Sequence, residues 1–229
     1  MKVGIFVPCF KRPEYTAICI KALEKAQEYK DCEFYLLDDG SQDGTSDILN
    51  NASLDSTTII SKENHGLRSS ILGFFDWAKN ERFDLIAKID NDCAVPVNWL
   101  NDVVKVFEST DVDILSPNVE PSNAAFVHGK HEDGLPYRPS KIVGGLWIMR
   151  TSLLDDVQFE RMSARGIKGA FSLLYQIIVE KEPKIGWLPN VTVQDIGHWS
   201  GKHENHIKSE EHQAYSSYVG RPIAWSSEL

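Results

Sequence analysis

The sequence predicts an α/β protein with a mostly parallel central sheet and helices on both faces. Three observations carry this. Short, β-rich apolar runs alternate with helical patterns through the first half of the chain. The connections between them are short, as β-α-β units require. Two of the runs end directly in carboxylates, at Asp38-Asp39 and at Asp90-Asn91-Asp92, where open α/β sheets place their ligand chemistry.

Residues 3–7 form the first strand, stopped by Pro8. A helix opens at Lys11-Arg12-Pro13-Glu14, with Pro13 suited to its first turn. Tyr15, Ile18, Cys19, Ala22, Leu23 and Ala26 then follow helical spacing. Residues 33–37 are the second strand and residues 57–60 a short third. Asn64-His65-Gly66 is a turn before a helix carrying Leu67, Ile71, Leu72, Phe75 and Ala78. The strand at 85–89 leads into Asp90-Asn91-Asp92, and a helix follows with Trp99, Leu100, Val103, Val104 and Phe107 on one face. Residues 113–116 form another strand, closed by Pro117. The pattern then changes. Residues 118–141 are polar and aperiodic, which marks a functional loop. A buried strand over 142–150 is entered through Gly144-Gly145, where glycine signals close backbone or ligand approach. A helix at 170–180 and a strand at 185–188, ended by Pro189, complete the pattern. The tail from Asp195 is rich in histidine and aromatic residues.

With 229 residues, 42% of them hydrophobic, the chain has the material for one large domain with a full core. No apolar run approaches the roughly eighteen residues a membrane span needs, and the first strand begins too early for a signal peptide. The four cysteines show no close pair and no metal spacing, which fits a reduced, cytoplasmic protein. A net charge of −9 disfavours non-specific nucleic-acid binding. It also increases the need for a bridging cation if the ligand is a diphosphate.

Asp90 and Asp92 alternate with Asn91, so an extended segment would turn both to one side. Two convergent carboxylates repel unless a cation lies between them or one is protonated. Hard oxygen ligands suit Mg²⁺ or Mn²⁺, which commonly hold phosphate oxygens as well. The same residues also read as a solvated turn of helix-capping acids.

Taken together the blocks resemble the family 2 glycosyltransferases, which have the GT-A fold. Val7-Pro8-Cys9-Phe10-Lys11-Arg12-Pro13 is similar to the family's opening strand and turn. Residues 37–45, Leu-Asp-Asp-Gly-Ser-Gln-Asp-Gly-Thr, are close to its Asp-Asp-Gly-Ser-x-Asp-Gly-Thr. Asp90-Asn91-Asp92 stands in the place of its metal-binding Asp-x-Asp, and Asn64-x-Gly66 and Gly144-Gly145 also fit. The resemblance covers roughly residues 2–155. It implies a Rossmann-like α/β/α sandwich spanning 1–229, with a nucleotide-sugar-binding half at 1–117 and an acceptor-side half at 118–229. It further implies a metal-dependent glycosyltransferase whose donor is a nucleotide-diphosphate sugar, most commonly a UDP-sugar. The acceptor would be a saccharide or a modified nucleobase. Pro8, Phe10, Arg12, Asp38, Asp39, Asn64, Arg68, Asp90, Asn91 and Gly145 would bind the donor. Asp92, Asp90 and His198 would hold Mn²⁺ or Mg²⁺.

The sequence departs from the family at one place. Aligning Gly169 and Pro189 with the family's glycine and proline puts Ala170 and Phe171 where an acidic pair supplies the usual general base. Either another carboxylate serves, or transfer is retaining and needs no such base, or the acceptor is activated otherwise; Asp195, Glu132, Asp133, Asp155 and Asp156 are the candidate carboxylates, and Asp195 is favoured because it lies near His198. The missing pair leaves open a catalytically idle nucleotide-sugar-binding module. A sugar nucleotidyltransferase is the other alternative, disfavoured because no Gly-rich basic loop follows the first strand.

Overall fold

The computed structural model describes residues 1–120, 135–140, 146–159 and 171–197. The chain divides into two compact units, Met1–Ile196 and Gly197–Leu229, and the sheet with its helices belongs to the first. Among the described residues the strands are β1 (Val3–Cys9), β2 (Cys32–Asp38), β3 (Ser56–Ile60), β4 (Leu85–Lys88), β5 (Cys93–Ala94), β6 (Ile114–Glu120), β7 (Arg138–Ser140), β8 (Trp147–Arg150) and β9 (Ile185–Asp195). The helices are α1 (Pro13–Lys25), α2 (Thr45–Asn50), α3 (Leu67–Asn80), α4 (Trp99–Ser109) and α5 (Phe171–Lys181). The strands form one sheet in the order β3-β2-β1-β4-β8-β6-β9-β5, with β7 paired to β9.

The first four strands in that order are parallel. β8 then runs antiparallel to both β4 and β6. β6 and β9 are parallel to each other, and the short β5 and β7 lie antiparallel on β9. The sheet is therefore mixed, with its fully parallel part confined to the N-terminal strands.

Side-chain alternation along the strands builds a core on each face. Val3, Ile5 and Val7 join Leu85, Ala87 and Ile89 beneath α1 and α4, against Cys19, Leu23, Trp99 and Phe107. Phe6 and Ile86 point the other way and pack with Ile71, Phe74 and Phe75 of α3 and Leu173 and Ile177 of α5. Phe6 and Phe74 stack with centroids 5.0 Å apart. Burying each such side chain contributes about 1.5–3 kcal/mol. The result is the expected three-layer α/β/α sandwich. No helix among the described residues is long and apolar enough to cross a membrane.

Two strands overrun the prolines expected to end them. β6 continues through Pro117 to Glu120, and β9 continues through Pro189 to Asp195. The pairing explains how. Pro117 is opposite Leu188, but Asn118 is opposite Thr192, so residues 189–191 of β9 lie in a bulge. A bulge tolerates a residue that has no N–H for the ladder. The expected boundary between halves, at 117/118, therefore falls inside a continuous strand. The strand expected over 142–150 is observed as β8, while residues 141–145 lie outside the described residues. The six-residue α2 was not expected, being too short to show a helical period.

Candidate active site

The strand order reverses at β1: β2 and β3 lie to one side of it, β4 to the other. Such a switch point opens a crevice at the carboxyl ends of the neighbouring strands. The segments that reach this crevice are Lys11-Arg12 after β1, Asp38-Asp39 at the end of β2 and Asp90-Asn91-Asp92 after β4. The motifs picked out in the sequence thus converge because of topology.

Lys11 and Arg12 both adopt left-handed backbone, with φ of 59° and 62°. Consecutive non-glycine residues in this region are costly and are kept only where surrounding contacts impose them. Two contacts do so here. The Lys11 N–H donates to Ser41 Oγ at 2.7 Å, and the Lys11 carbonyl accepts from Asn91 Nδ2 at 3.3 Å. Asn91 also donates to Thr16 Oγ1 at 2.9 Å and is buried. The Asn91 amide thus ties the two loops together. The clamped turn projects the Arg12 guanidinium across the switch point, where Nη1 donates to Asp92 Oδ2 at 2.7 Å. The guanidinium also lies 4.9 Å from the centre of the Tyr15 ring.

Asp38 and Asp39 are both buried, and each orders a loop. Asp38 accepts from the Ser41 N–H at 2.9 Å and from the Ser46 hydroxyl. Asp39 accepts from the His65 and Gly66 N–H groups, each at 2.9 Å. It therefore pins the turn that precedes α3, including Asn64. A carboxylate has about four acceptor sites, so both retain capacity for a ligand. Between them, Gly40 has φ of +82°, and a Cβ there would sit 2.7 Å from the Glu63 carbonyl carbon. Gly40→Ala is expected to destabilise the fold by about 2 kcal/mol or more, from the left-handed backbone and the clash together. Urea denaturation measures this, and an unchanged midpoint would show that the 63–66 turn is not held against β2.

The carboxylates after β4 are compensated by two cations. Lys88, whose side chain is only 6% exposed, pairs with Asp90, which is 37% exposed. Arg12 and Asp92 are 12% and 20% exposed, so this second pair faces the crevice. A third acid arrives from β9. Cys93 of β5 pairs with Asp195, and the Ile196 N–H donates to the Asp92 carbonyl at 2.9 Å. Burial, and after it the charge of Asp90, push the Asp92 carboxyl up to about 6; Asp195 adds to the rise, while Arg12 and Lys88 oppose it. Three carboxylates, Asp90, Asp92 and Asp195, and two cations, Arg12 and Lys88, thus act on one another here. Among the described residues no group of three or more His, Cys, Asp or Glu is arranged to hold a metal.

The other expected residues fall out as follows. Arg68, in the first turn of α3, donates to the Phe159 carbonyl at 3.0 Å. Pro8 lies within β1 opposite Leu37, and Phe10 sits near the Lys11 ammonium. Asp155 and Asp156 follow β8, whose Arg150 pairs with Leu85 at the start of β4. They are exposed at the end of the sheet opposite the crevice, so neither is placed to act there. Gly145, Glu132, Asp133 and His198 lie outside the described residues. The four cysteines are free thiols, three of them buried. Two contributors were not singled out in the sequence: Lys88 and Ser41. A lysine inside the apolar 85–89 run is a readable signal of a buried partner; the Ser41 contact has no sequence signal.

The family model for glycosyl transferase family 2 matches residues 4–165. The chain belongs to this family. No relative is found among curated protein sequences. Similar solved structures include residues 1–349 of TarS from S. aureus, at 19% identity and a TM-score of 0.64, covering 86% of this chain and 61% of that one. The same TarS fragment in complex with UDP gives 19% identity and a TM-score of 0.64, over 85% of this chain and 60% of that one. The mannosyltransferase PcManGT from Pyrobaculum calidifontis, in complex with GDP-Man and Mn²⁺, is 16% identical with a TM-score of 0.63, over 87% of this chain and 58% of that one. At these identities the likeness establishes the shared GT-A fold. The chain spans about three-fifths of the length of these structures.

Proposed function

We propose that this protein is a glycosyltransferase that moves a sugar from a nucleotide-diphosphate donor to an acceptor hydroxyl. The observation that carries the reading is the meeting of Arg12, Asp90, Asp92 and Asp195 at the β1/β4 switch point. A crevice that combines carboxylates with a guanidinium suits a diphosphate bridged by a divalent cation. The donor set fits Mg²⁺ or Mn²⁺, which such sites bind through one or two carboxylates plus substrate phosphates and water. A protein cage of three ligands is not required. Asp92 and Asp90 would hold the ion. When bound, it would supply Lewis-acid neutralisation of the leaving diphosphate.

The chain's own groups carry the other tasks. Asp39 holds the 64–66 turn as one wall of the nucleotide cleft, and Asp38 holds the Ser41 loop as another. Asp195 accepts the proton of the acceptor hydroxyl as its oxygen bonds to the anomeric carbon. The bond from that carbon to the diphosphate breaks, and nucleoside diphosphate leaves. Asp195 thus takes the place of the acidic pair missing at Ala170 and Phe171. A UDP-sugar is the favoured donor: TarS has been captured with UDP and with UDP-GlcNAc. PcManGT, captured with GDP-Man, makes GDP-sugars the comparison. The acceptor is a saccharide or a modified nucleobase.

Incubation with UDP- and GDP-sugars and Mn²⁺, with and without a panel of saccharides and hydroxymethylated DNA, tests the reading. Release of nucleoside diphosphate that depends on the cation and increases with an acceptor is expected. Binding of nucleotide with no release under any condition would favour an idle binding module instead.

A further inference from the structure

Arg12 and a divalent cation held by Asp92 would compete for the same atom. The guanidinium occupies Asp92 Oδ2 at 2.7 Å, the carboxylate that the proposed function gives to the metal. We propose that Arg12 is a placeholder: it neutralises Asp92 in the free protein and transfers to the donor's diphosphate when nucleotide and cation arrive together. The inference rests on the functional reading above and adds an order of events to it.

The two ion pairs of the site are not equivalent, and the difference identifies the one that moves. Lys88 is enclosed, and its ammonium has Asp90 beside it at the end of β4. Separating so buried an ammonium from the carboxylate beside it is strongly unfavourable. Arg12 and Asp92 both border the crevice. Ser41 and Asn91 fix the turn through the Lys11 backbone, but the Arg12 guanidinium stands at the end of a long side chain. A divalent ion held by Asp92 would bind substrate phosphate oxygens as well. The phosphate would therefore arrive within a short side-chain rotation of where the guanidinium already lies. Guanidinium binds phosphate as a two-pronged donor as readily as it binds carboxylate.

Charge balance then couples the two ligands. Three carboxylates, Asp90, Asp92 and Asp195, face two cations, Arg12 and Lys88. A cation entering alone would displace Arg12 from Asp92 and offer the guanidinium no new anion. A cation entering with a diphosphate gives the guanidinium a new anion in the same step. Arg12 thus weakens binding of the ion alone and strengthens binding of the nucleotide with the ion. By linkage, each ligand raises the other's affinity by the same factor.

The test is binding rather than turnover. Mn²⁺ affinity is measured by electron paramagnetic resonance and calorimetry, without and with UDP, for wild type, Arg12→Gln and Arg12→Lys. GDP serves as a parallel probe, and Mn²⁺–nucleotide binding in buffer is subtracted. Arg12→Gln is expected to bind Mn²⁺ alone at least about 5-fold more tightly than wild type and UDP in the presence of Mn²⁺ at least about 10-fold more weakly. Arg12→Lys should fall between on both measures, and it carries the same signs if the glutamine variant does not fold. Opposite signs are decisive, because a merely structural Arg12 would weaken both ligands. Both affinities falling, or neither changing, overturns the proposal alone. Wild type that binds neither nucleotide nor Mn²⁺ in any combination overturns the functional reading and the proposal with it.

Discussion

Replacing Asp92 with Asn is expected to lower sugar transfer by about 10²–10³-fold while leaving the metal-free protein at least as stable as wild type. The loss follows from the role of the carboxylate. Lewis-acid stabilisation of a leaving diphosphate is worth several kcal/mol, and each 1.36 kcal/mol is about tenfold in rate. Asparagine keeps the shape and can still accept from Arg12, but it is a poor ligand for a hard cation. Chelation of the divalent ion should reproduce most of the effect in wild type and add little in the variant. Turnover indifferent to both would remove the metal from the mechanism.

The stability half of the expectation has a separate cause. Burial and the neighbouring Asp90 charge push the Asp92 carboxyl up to about 6, above the roughly 3.9 of an unfolded chain. Between those values the folded state binds more protons than the unfolded one, so stability falls as pH rises through the window. At neutral pH the charged Asp92 is therefore a cost to the metal-free fold. Lowering the pH from 7 toward 5 should raise the melting temperature of the metal-free wild type through this group. Asp92→Asn should lack that component. A variant that melts well below wild type at pH 7 would show that the ion pair with Arg12 outweighs the burial cost. Function and stability are expected to pull apart at a residue kept for binding rather than for the fold.

The parallel strands and both acidic loops were legible because apolar runs ending in carboxylates are local signals. Asp38, Asp39, Asp90 and Asp92 could all be named from the sequence, but their partners could not. Asp39 bonds to His65 and Gly66, and Asn91 bonds to Lys11 and Thr16. These contacts join residues far apart in the chain and depend on β1 lying between β2 and β4, which no local pattern encodes. Pro117 and Pro189 misled for a related reason: proline ends a strand only when the ladder needs its N–H, and the bulge at 189–191 removes that need. Arg12 was expected in the donor site, and its pairing with Asp92 could not be read from the sequence. A sequence shows which charges exist, whereas their pairing without ligand is set by the packing.

Asp195→Asn is expected to reduce transfer to the acceptor by about 10²–10⁴-fold, the range typical of a lost general base, while UDP affinity in Mn²⁺ stays within about 3-fold of wild type. The placement has a clear structural origin. β9 extends past Pro189 by way of its bulge, and its last residue pairs with Cys93, immediately after Asp92. The Ile196 N–H then closes onto the Asp92 carbonyl. The chain thus brings a carboxylate to the crevice from the sheet, although the start of α5 offers only Ala170 and Phe171. A base acts on the acceptor, so donor binding and slow donor hydrolysis by water should persist in the variant. If Asp195 instead orients a metal-binding group, the variant should lose about 10–100-fold in metal affinity. The two outcomes differ in which constant moves, so binding and rate measured on one variant assign the residue. Wild-type values for both would place the base elsewhere and leave Asp195 as a carboxylate that only tunes the charge of Asp92.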